Sequence, residues 1–98
     1  MHNVEEEGFL FHGTKSDPRA WRNCQLVPSL CDGAFRVYAS PQLEYAVRHA
    51  RRGVGCGGGV YILKFARTEE WQRKRQDVVR HIGPIYVGDA LEIMKITF

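Results

Sequence analysis

The sequence feature that most restricts the fold of this chain is an apolar run at residues 60–65, in which β-branched, aromatic and aliphatic residues surround one lysine. A run of this length and composition is typical of a β-strand. The glycine-rich segment before it, residues 53–59, is interpreted as a flexible connector. That segment lacks the Gly-Lys-Ser/Thr ending of a phosphate loop and leads into a strand rather than a helix, so it is not expected to bind phosphate.

Four other segments have the composition or the alternation of β-strands, at residues 9–14, 35–39, 85–87 and 91–98. The first runs from three apolar residues straight into a His-Gly-Thr sequence. Because Gly13 has no Cβ, a ligand or a second backbone can approach this strand closely. The last segment alternates, with Leu91, Ile93 and Lys95 expected on one face. These segments predict a sheet-containing domain.

Three helices are predicted where a capping residue precedes apolar residues at helical spacing, at residues 18–24, 42–52 and 68–82. Ser40 and Pro41 are expected to begin the second helix, and Thr68 to cap the third. In the third helix four apolar residues are expected to be buried, namely Trp71, Val78, Val79 and Ile82. Four basic residues are expected to face solvent, namely Arg73, Lys74, Arg75 and Arg80. Residues 25–33 are predicted to be an irregular loop. The chain is thus expected to be one α+β domain, residues 1–98, with about five strands and three short helices.

Composition restricts the functional classes. The formal net charge of +3 permits an anionic partner without indicating nucleic acid. Three cysteines at irregular spacing, Cys24, Cys31 and Cys56, predict reduced thiols in a cytoplasmic protein. Since no CxxC or CxxH pair is present, no metal site is expected from them with His49 or His81. The longest apolar runs are too short to span a bilayer and residues 1–7 are polar and acidic, so neither a membrane segment nor a signal peptide is expected.

Three clusters carry side chains suited to chemistry, and they are His12-Gly13-Thr14, Tyr38-Ala39-Ser40 and the acidic pair Asp89 and Glu92. Together they offer an imidazole, a phenol ring, hydroxyls and carboxylates. This set suits a planar, ribose-bearing ligand and the stabilisation of a cation that develops on its sugar. Each member also has a simpler interpretation: Ser40 as a helix cap, Asp89 as part of a turn with Gly88, and Glu92 on the solvent face of a strand.

The first two clusters, in this order and spacing, resemble the His-Tyr-Glu branch of the ADP-ribosyltransferase superfamily, which includes diphtheria-toxin-like and poly(ADP-ribose)-polymerase-like enzymes. Members have a strand that ends in His-Gly-Thr or His-Gly-Ser, and a second strand with a tyrosine before a small residue and a helix. The apolar run at residues 60–65 resembles the central strand of the family, and residues 84–98 resemble its last two strands. The resemblance implies a small domain whose split sheet surrounds an NAD cleft.

The resemblance also implies roles for residues of this chain. His12 would hydrogen-bond a ribose of NAD, and the Gly13 backbone would hold the nicotinamide carboxamide. Thr14 would support the adenosine-side ribose or the loop, Tyr38 would stack on the nicotinamide ring, and Ser40 would add a polar contact. The reaction would cleave the bond between nicotinamide and ribose and pass ADP-ribose to a nucleophile, with electrostatic stabilisation and positioning as the main catalytic effects.

The chain departs from the family pattern in two places. The family has a second stacking tyrosine on the helix that follows, for which Tyr45 and His49 are both candidates here. The family's catalytic glutamate would fall at residues 83–85, where no acid is present. If the register is shifted, Asp89 or Glu92 would supply the carboxylate. Members that lack this glutamate are generally mono-ADP-ribosylating or inactive.

Two functions are therefore predicted. The first is a NAD-dependent mono-ADP-ribosyltransferase that modifies a macromolecule, most simply a protein, in the manner of a toxin, effector or host antagonist. The second is an inactive module of the same fold that binds and inhibits a protein or nucleic-acid-bound partner. The missing glutamate and the basic run Arg73, Lys74 and Arg75, a candidate contact for nucleic acid, favour the second.

Overall fold

The structure is a computed structural model that describes residues 8–18, 25–26, 29–31 and 34–98. Its elements in chain order are β1 (Phe9–Thr14), β2 (Ser29–Cys31), β3 (Ala34–Arg36), β4 (Tyr38–Ala39), α1 (Leu43–Ala50), β5 (Gly59–Ala66), β6 (Trp71–Arg75), β7 (Val78–His81) and β8 (Glu92–Thr97). A short 3-10 helix, Val87–Asp89, precedes β8. The predicted α+β class is confirmed, and the described residues contain more and shorter strands than the five expected.

A three-stranded antiparallel sheet in the order β1-β5-β8 forms the centre of the fold. Its middle strand is β5, which confirms the strand predicted from residues 60–65. Successive side chains of β5 alternate between two cores: Val60 and Ile62 lie in one, and Leu63 and Phe65 lie in the other. Both faces of the sheet are therefore covered, which explains why the strand is a continuous apolar run rather than a polar–apolar alternation.

Helix α1 covers one face of this sheet, where Ala46 and Ala50 pack against Val60 and Ile62. The contact is close because Gly13 of β1 lies beneath the helix. A Cβ added at Gly13 would lie 2.6 Å from the Ala46 carbonyl oxygen and 2.7 Å from the Ala50 Cβ. The absence of a side chain at this position thus admits a second backbone, one of the two uses expected of it.

A second antiparallel sheet, in the order β4-β7-β6, covers the other face. The larger core lies at this side of the central sheet and contains residues of both sheets, among them Leu10, Leu63, Val79 and Trp71. The rings of His81 and Trp71 pack in a T-shaped arrangement with 4.7 Å between their centroids. Strands β2 and β3 form a separate two-stranded sheet.

The predicted third helix is wrong, because residues 71–81 form a β-hairpin. Trp71 pairs with His81 and Arg73 with Val79, and the register then shifts so that Arg75 pairs with Val78. The apolar residues taken as a helical stripe are also spaced correctly for two short paired strands, and the two adjacent valines favour extended backbone. Trp71, Val78 and Val79 are buried as expected, whereas Ile82 is 45% exposed.

Other boundaries differ in detail. Strand β2 lies within the predicted loop 25–33, and the predicted strand 35–39 is interrupted at Val37. Residues 85–87 do not form a strand; Tyr86 makes one isolated bridge with Gln25 before the 3-10 helix. The predicted helix 18–24 falls on residues of which only Pro18 is described.

The last strand is confirmed as β8, but Leu91 lies outside it and apolar residues occupy both of its faces. Ile93 packs against the larger core, whereas Met94 and Ile96 pack against the core beneath α1. Leu91 precedes the strand and is 60% exposed, and Lys95 is exposed. Because the central sheet has two covered faces, apolar residues are needed on both sides of β8 and a single apolar face does not describe it.

Candidate functional site

The two sequence motifs meet at a junction between the two sheets. Phe11 of β1 and Ser40, just after β4, form an isolated antiparallel bridge. The Phe11 N–H donates to the Ser40 carbonyl oxygen at 2.8 Å, and the Ser40 N–H donates to the Phe11 carbonyl oxygen at 2.9 Å. These two bonds place the end of β1 beside β4, so that residues 12 and 38, distant in sequence, become neighbours.

His12 is fixed in this junction by its ring. Its Nδ1 lies 2.6 Å from the Tyr38 carbonyl oxygen. A carbonyl oxygen only accepts, so Nδ1 carries the proton in this contact and the neutral ring keeps a lone pair on Nε2. The arrangement orients an acceptor nitrogen, which is the atom that a ligand hydroxyl would need.

The imidazole is also kept neutral. Burial lowers the pKa of His12, the hydrogen bond to the Tyr38 backbone raises it in part, and the charge on His49 lowers it further. A neutral ring at pH 7 accepts a hydrogen bond at Nε2, whereas a protonated ring would only donate. The local environment therefore favours the form suited to binding a hydroxyl.

Ser40 is almost fully buried, at 1% exposed. Its Oγ accepts a hydrogen bond from the Gln42 N–H at 3.0 Å. The expectation that Ser40 and Pro41 begin the helix is wrong in detail, because α1 starts at Leu43 and Gln42 occupies the N-cap position without a side-chain cap. Ser40 instead stabilises the turn that connects β4 to the helix, in the manner common for serine in loops.

A cavity of about 360 Å³ opens beside this junction. It lies within the range of roughly 300–1,000 Å³ typical of small-molecule sites, near its lower end. Its lining includes every residue predicted from the sequence to bind the cofactor, namely His12, Gly13, Thr14, Tyr38, Ser40, Tyr45 and His49. Segments from β1, β4 and α1 thus contribute to one concave surface.

Both candidates for the second aromatic position line this cavity, and they lie against each other. The rings of Tyr45 and His49, one helical turn apart on α1, are nearly parallel at 6° with centroids 6.4 Å apart. Arg48 lies on the same helix with its guanidinium carbon 6.0 Å from the Tyr45 ring centroid. Tyr45 and His49 therefore form one aromatic wall of the cavity. The candidate for the second stacking position is this pair of rings and not one of the two residues alone.

The two acids predicted as catalytic do not line the cavity. Asp89 is exposed in the 3-10 turn, where its Oδ2 accepts from the Tyr86 N–H at 3.0 Å. Glu92 is exposed on β8, opposite Lys64. Both positions match the simpler interpretations of a turn residue and a strand residue facing solvent. At the position expected for the family's glutamate, Ile85 is 4% exposed and belongs to the larger core.

Sequence reasoning missed part of the cavity lining, which also includes Phe11, Ala39, Ala46, Lys74, Arg75 and Val78. The basic pair Lys74 and Arg75 belongs to strand β6, whereas the sequence pattern predicts it on a solvent-facing helix. The Lys74 Nζ lies 5.7 Å from the centroid of the Tyr38 ring, within range of a cation–π contact. A ligand ring that stacks on Tyr38 would have to use the opposite face or displace Lys74.

The described residues include no group of three or more histidine, cysteine or acidic side chains placed to hold a metal ion. Within the same residues, no helix has the length and apolar character needed to cross a membrane. Comparison of the chain with protein-family models, with curated proteins and with solved structures finds no match in any of the three.

The lowered pKa of His12 predicts a loss of stability in acid. In the unfolded chain the imidazole takes up a proton as the pH falls through 6.5, whereas the folded chain takes it up only at lower pH. The free energy of unfolding is therefore expected to be highest above pH 6.5 and to decrease as the pH falls towards the pKa of the folded state. Chemical denaturation between pH 7 and about pH 5 measures this decrease.

The matched control for this pH dependence is His12→Asn, which retains a donor for the Tyr38 carbonyl and cannot titrate. Burial and the charges of Arg52, Lys15 and Arg75 also lower the pKa of His49. Some of the decrease is therefore expected to remain in the variant. A pH profile that is the same with and without His12 would show that this ring does not cause the effect.

Proposed function

We propose that this chain has an ADP-ribosyltransferase-like fold, binds NAD in the cavity between β1, β4 and α1, and transfers ADP-ribose to a macromolecular acceptor. The observation that carries the proposal is the convergence of the two motifs. His12 and Tyr38 are 26 residues apart, and a hydrogen bond of 2.6 Å joins them at the edge of a cavity lined by the other predicted residues.

The groups that line the cavity fit a nucleoside carrying a planar ring. His12 supplies an Nε2 acceptor for a sugar hydroxyl, and Tyr38 with the Tyr45–His49 pair supplies aromatic surfaces for a ring. Gly13 lines the cavity, and because helix α1 fills the space on its Cβ side, it would contact a ligand through its backbone groups. NAD contributes the scissile bond between nicotinamide and ribose, and the chain contributes binding, orientation and a partly water-excluding surface.

One observation favours the second candidate, an inactive module of the same fold. The described residues that line the cavity include no carboxylate, although the departure of nicotinamide leaves positive charge on the ribose. Lys74 and Arg75 add positive charge beside the site. A transferase would then rely on the acceptor or another group for a counter-charge, whereas a binding module needs none. A protein acceptor and a toxin or effector role are supported by the resemblance alone, and a cytoplasmic location by the cysteine pattern alone.

The deciding experiment incubates the protein with labelled NAD and a cell lysate, and measures both released nicotinamide and label attached to macromolecules. The transferase proposal predicts both products, and predicts that a variant with alanine at His12 and Tyr38 gives neither. Tight NAD binding without either product supports the inactive module. No NAD binding, or full activity in the double variant, contradicts the assignment of this cavity.

A further inference from the structure

The positive side chains at the cavity form a group that the nucleoside site does not use. We call Lys15, Arg52, Lys74 and Arg75 the cationic rim. Lys74 and Arg75 line the cavity, and Lys15 directly follows Thr14, which also lines it. Arg52 follows α1 by two residues. The charges of Lys15, Arg52 and Arg75 all lower the pKa of His49, so three segments distant in sequence bring positive charge near this lining residue.

A backbone irregularity places the two central members of the rim. In a regular strand, successive side chains point to opposite faces. In β6, Arg73 pairs with Val79 and Arg75 with Val78, so the register shifts by one residue at Lys74. This is a β-bulge, which re-aims a side chain. As a result the adjacent residues Lys74 and Arg75 both line the cavity, while Arg73 does not.

Charges of one sign that are held close together repel, and the repulsion is relieved when an anion binds. The described residues that line the cavity include no aspartate or glutamate. Arginine and lysine together are the usual protein partners of phosphate, because guanidinium binds two phosphate oxygens and ammonium adds a compact charge. The rim therefore fits a group with two or more negative charges better than it fits a neutral or cationic one.

We propose that the cationic rim is a diphosphate subsite, which holds the phosphate groups of a nucleotide whose nucleoside end contacts His12 and Tyr38. The identity of the ligand as a nucleotide rests on the proposed function, whereas the preference of the rim for phosphate does not. The attraction between the cationic rim and the phosphate groups adds to the affinity of the chain for the nucleotide. A ligand with the diphosphate is thus held more tightly than the same nucleoside without it, and the difference decreases as salt concentration rises.

The test uses the full chain and calorimetric titration with ADP-ribose, NAD, nicotinamide riboside and inorganic pyrophosphate. Arg75→Gln is expected to weaken ADP-ribose binding by about tenfold or more, the size typical of a lost charge-assisted hydrogen bond. Binding of nicotinamide riboside should change little. Arg73→Gln is the matched control, because Arg73 lies two residues away on the same strand and outside the cavity lining. Thermal unfolding of both variants verifies that they are folded.

The outcomes separate the subsite from the transferase proposal. ADP-ribose binding that depends on Arg75, without release of nicotinamide from NAD, supports the diphosphate subsite and contradicts the transferase proposal. Release of nicotinamide from NAD, with an affinity for ADP-ribose that Arg75→Gln does not change, supports the transferase proposal and contradicts the subsite. The subsite is also overturned if the wild-type chain binds neither ADP-ribose nor pyrophosphate, if Arg73→Gln weakens binding as much as Arg75→Gln, or if a single-stranded oligonucleotide binds through the rim without competing with ADP-ribose.

Discussion

Replacing Gly13 with alanine is expected to lower the free energy of unfolding by about 2–3 kcal/mol. The new Cβ would lie 2.6 Å from the carbonyl oxygen of Ala46 and 2.7 Å from the Cβ of Ala50. Both distances are well inside van der Waals contact, and one of the two groups is helix backbone, which cannot turn aside as a long side chain can. Helix α1 must therefore move away from β1 or the strand must deform.

Chemical denaturation and thermal unfolding measure this effect, and the melting temperature should fall by more than about 8 °C. Gly55→Ala is the matched control, since a Cβ at Gly55 meets nothing within 4 Å and this glycine is exposed. Its stability should stay within about 0.5 kcal/mol of wild type. Equal stability of Gly13→Ala and wild type would mean that the helix does not rest on the strand as described.

The same substitution should also change the cavity. Tyr45 and His49 are carried by α1, so a shift of the helix moves one aromatic wall relative to His12. Ligand affinity is expected to fall in Gly13→Ala even at temperatures where the variant is fully folded. Retention of wild-type NAD affinity by the folded variant would show that the helix and the strand do not form the site together.

The second large effect is expected for His12→Asn. The asparagine amide nitrogen takes about the position of Nδ1 and still donates to the Tyr38 carbonyl, but the side chain has no atom at the position of Nε2. NAD affinity, and nicotinamide release if the transferase proposal holds, are expected to fall about ten- to a hundredfold. The free energy of unfolding at neutral pH should change by less than about 1 kcal/mol.

His12→Gln is the complementary control, because glutamine reaches the position of Nε2 and loses the donor at Nδ1. It leaves the Tyr38 carbonyl without this bond, so its cost should appear mainly in stability, at about 1 kcal/mol. Isothermal titration and denaturation on the two variants separate the two nitrogens. If the asparagine variant binds NAD as tightly as wild type, Nε2 is not a ligand contact.

The parts of the fold that sequence predicted correctly depend on local signals. The apolar run of β5 is long enough, and separated clearly enough from α1 by the preceding glycines, to be recognised without any partner strand. Helix α1 was identified from the spacing of Ala46 and Ala50, which are buried as that spacing requires. Gly13 was identified as a point of close approach because glycine has few other uses at the end of an apolar strand.

The β6–β7 hairpin shows what such signals cannot supply. The spacing of Trp71 and Val79 is compatible with one face of a helix. These residues are in β-strands because β6 and β7 pair with each other, and a local pattern does not reveal that pairing. The bulge at Lys74 cannot be predicted before that pairing is known. For the same reason, the sequence does not predict that Lys74 and Arg75 line the cavity. In the same way, the two motifs meet through the Phe11–Ser40 bridge, a tertiary contact that neither motif encodes alone.

The order of strands in the central sheet has a consequence for how the cavity forms in time. β1 pairs with β5, so the pairing of Thr14 with Tyr61 closes a long loop that contains α1 and the glycine-rich segment. The hairpin that supplies Lys74 and Arg75 is local in sequence and can form early, whereas closing the long loop between β1 and β5 is entropically slow. We therefore expect the His12 side of the cavity to assemble after this hairpin when the chain refolds. A ligand that binds there would act on refolding mainly by slowing the reverse step, the departure of β1 from the sheet.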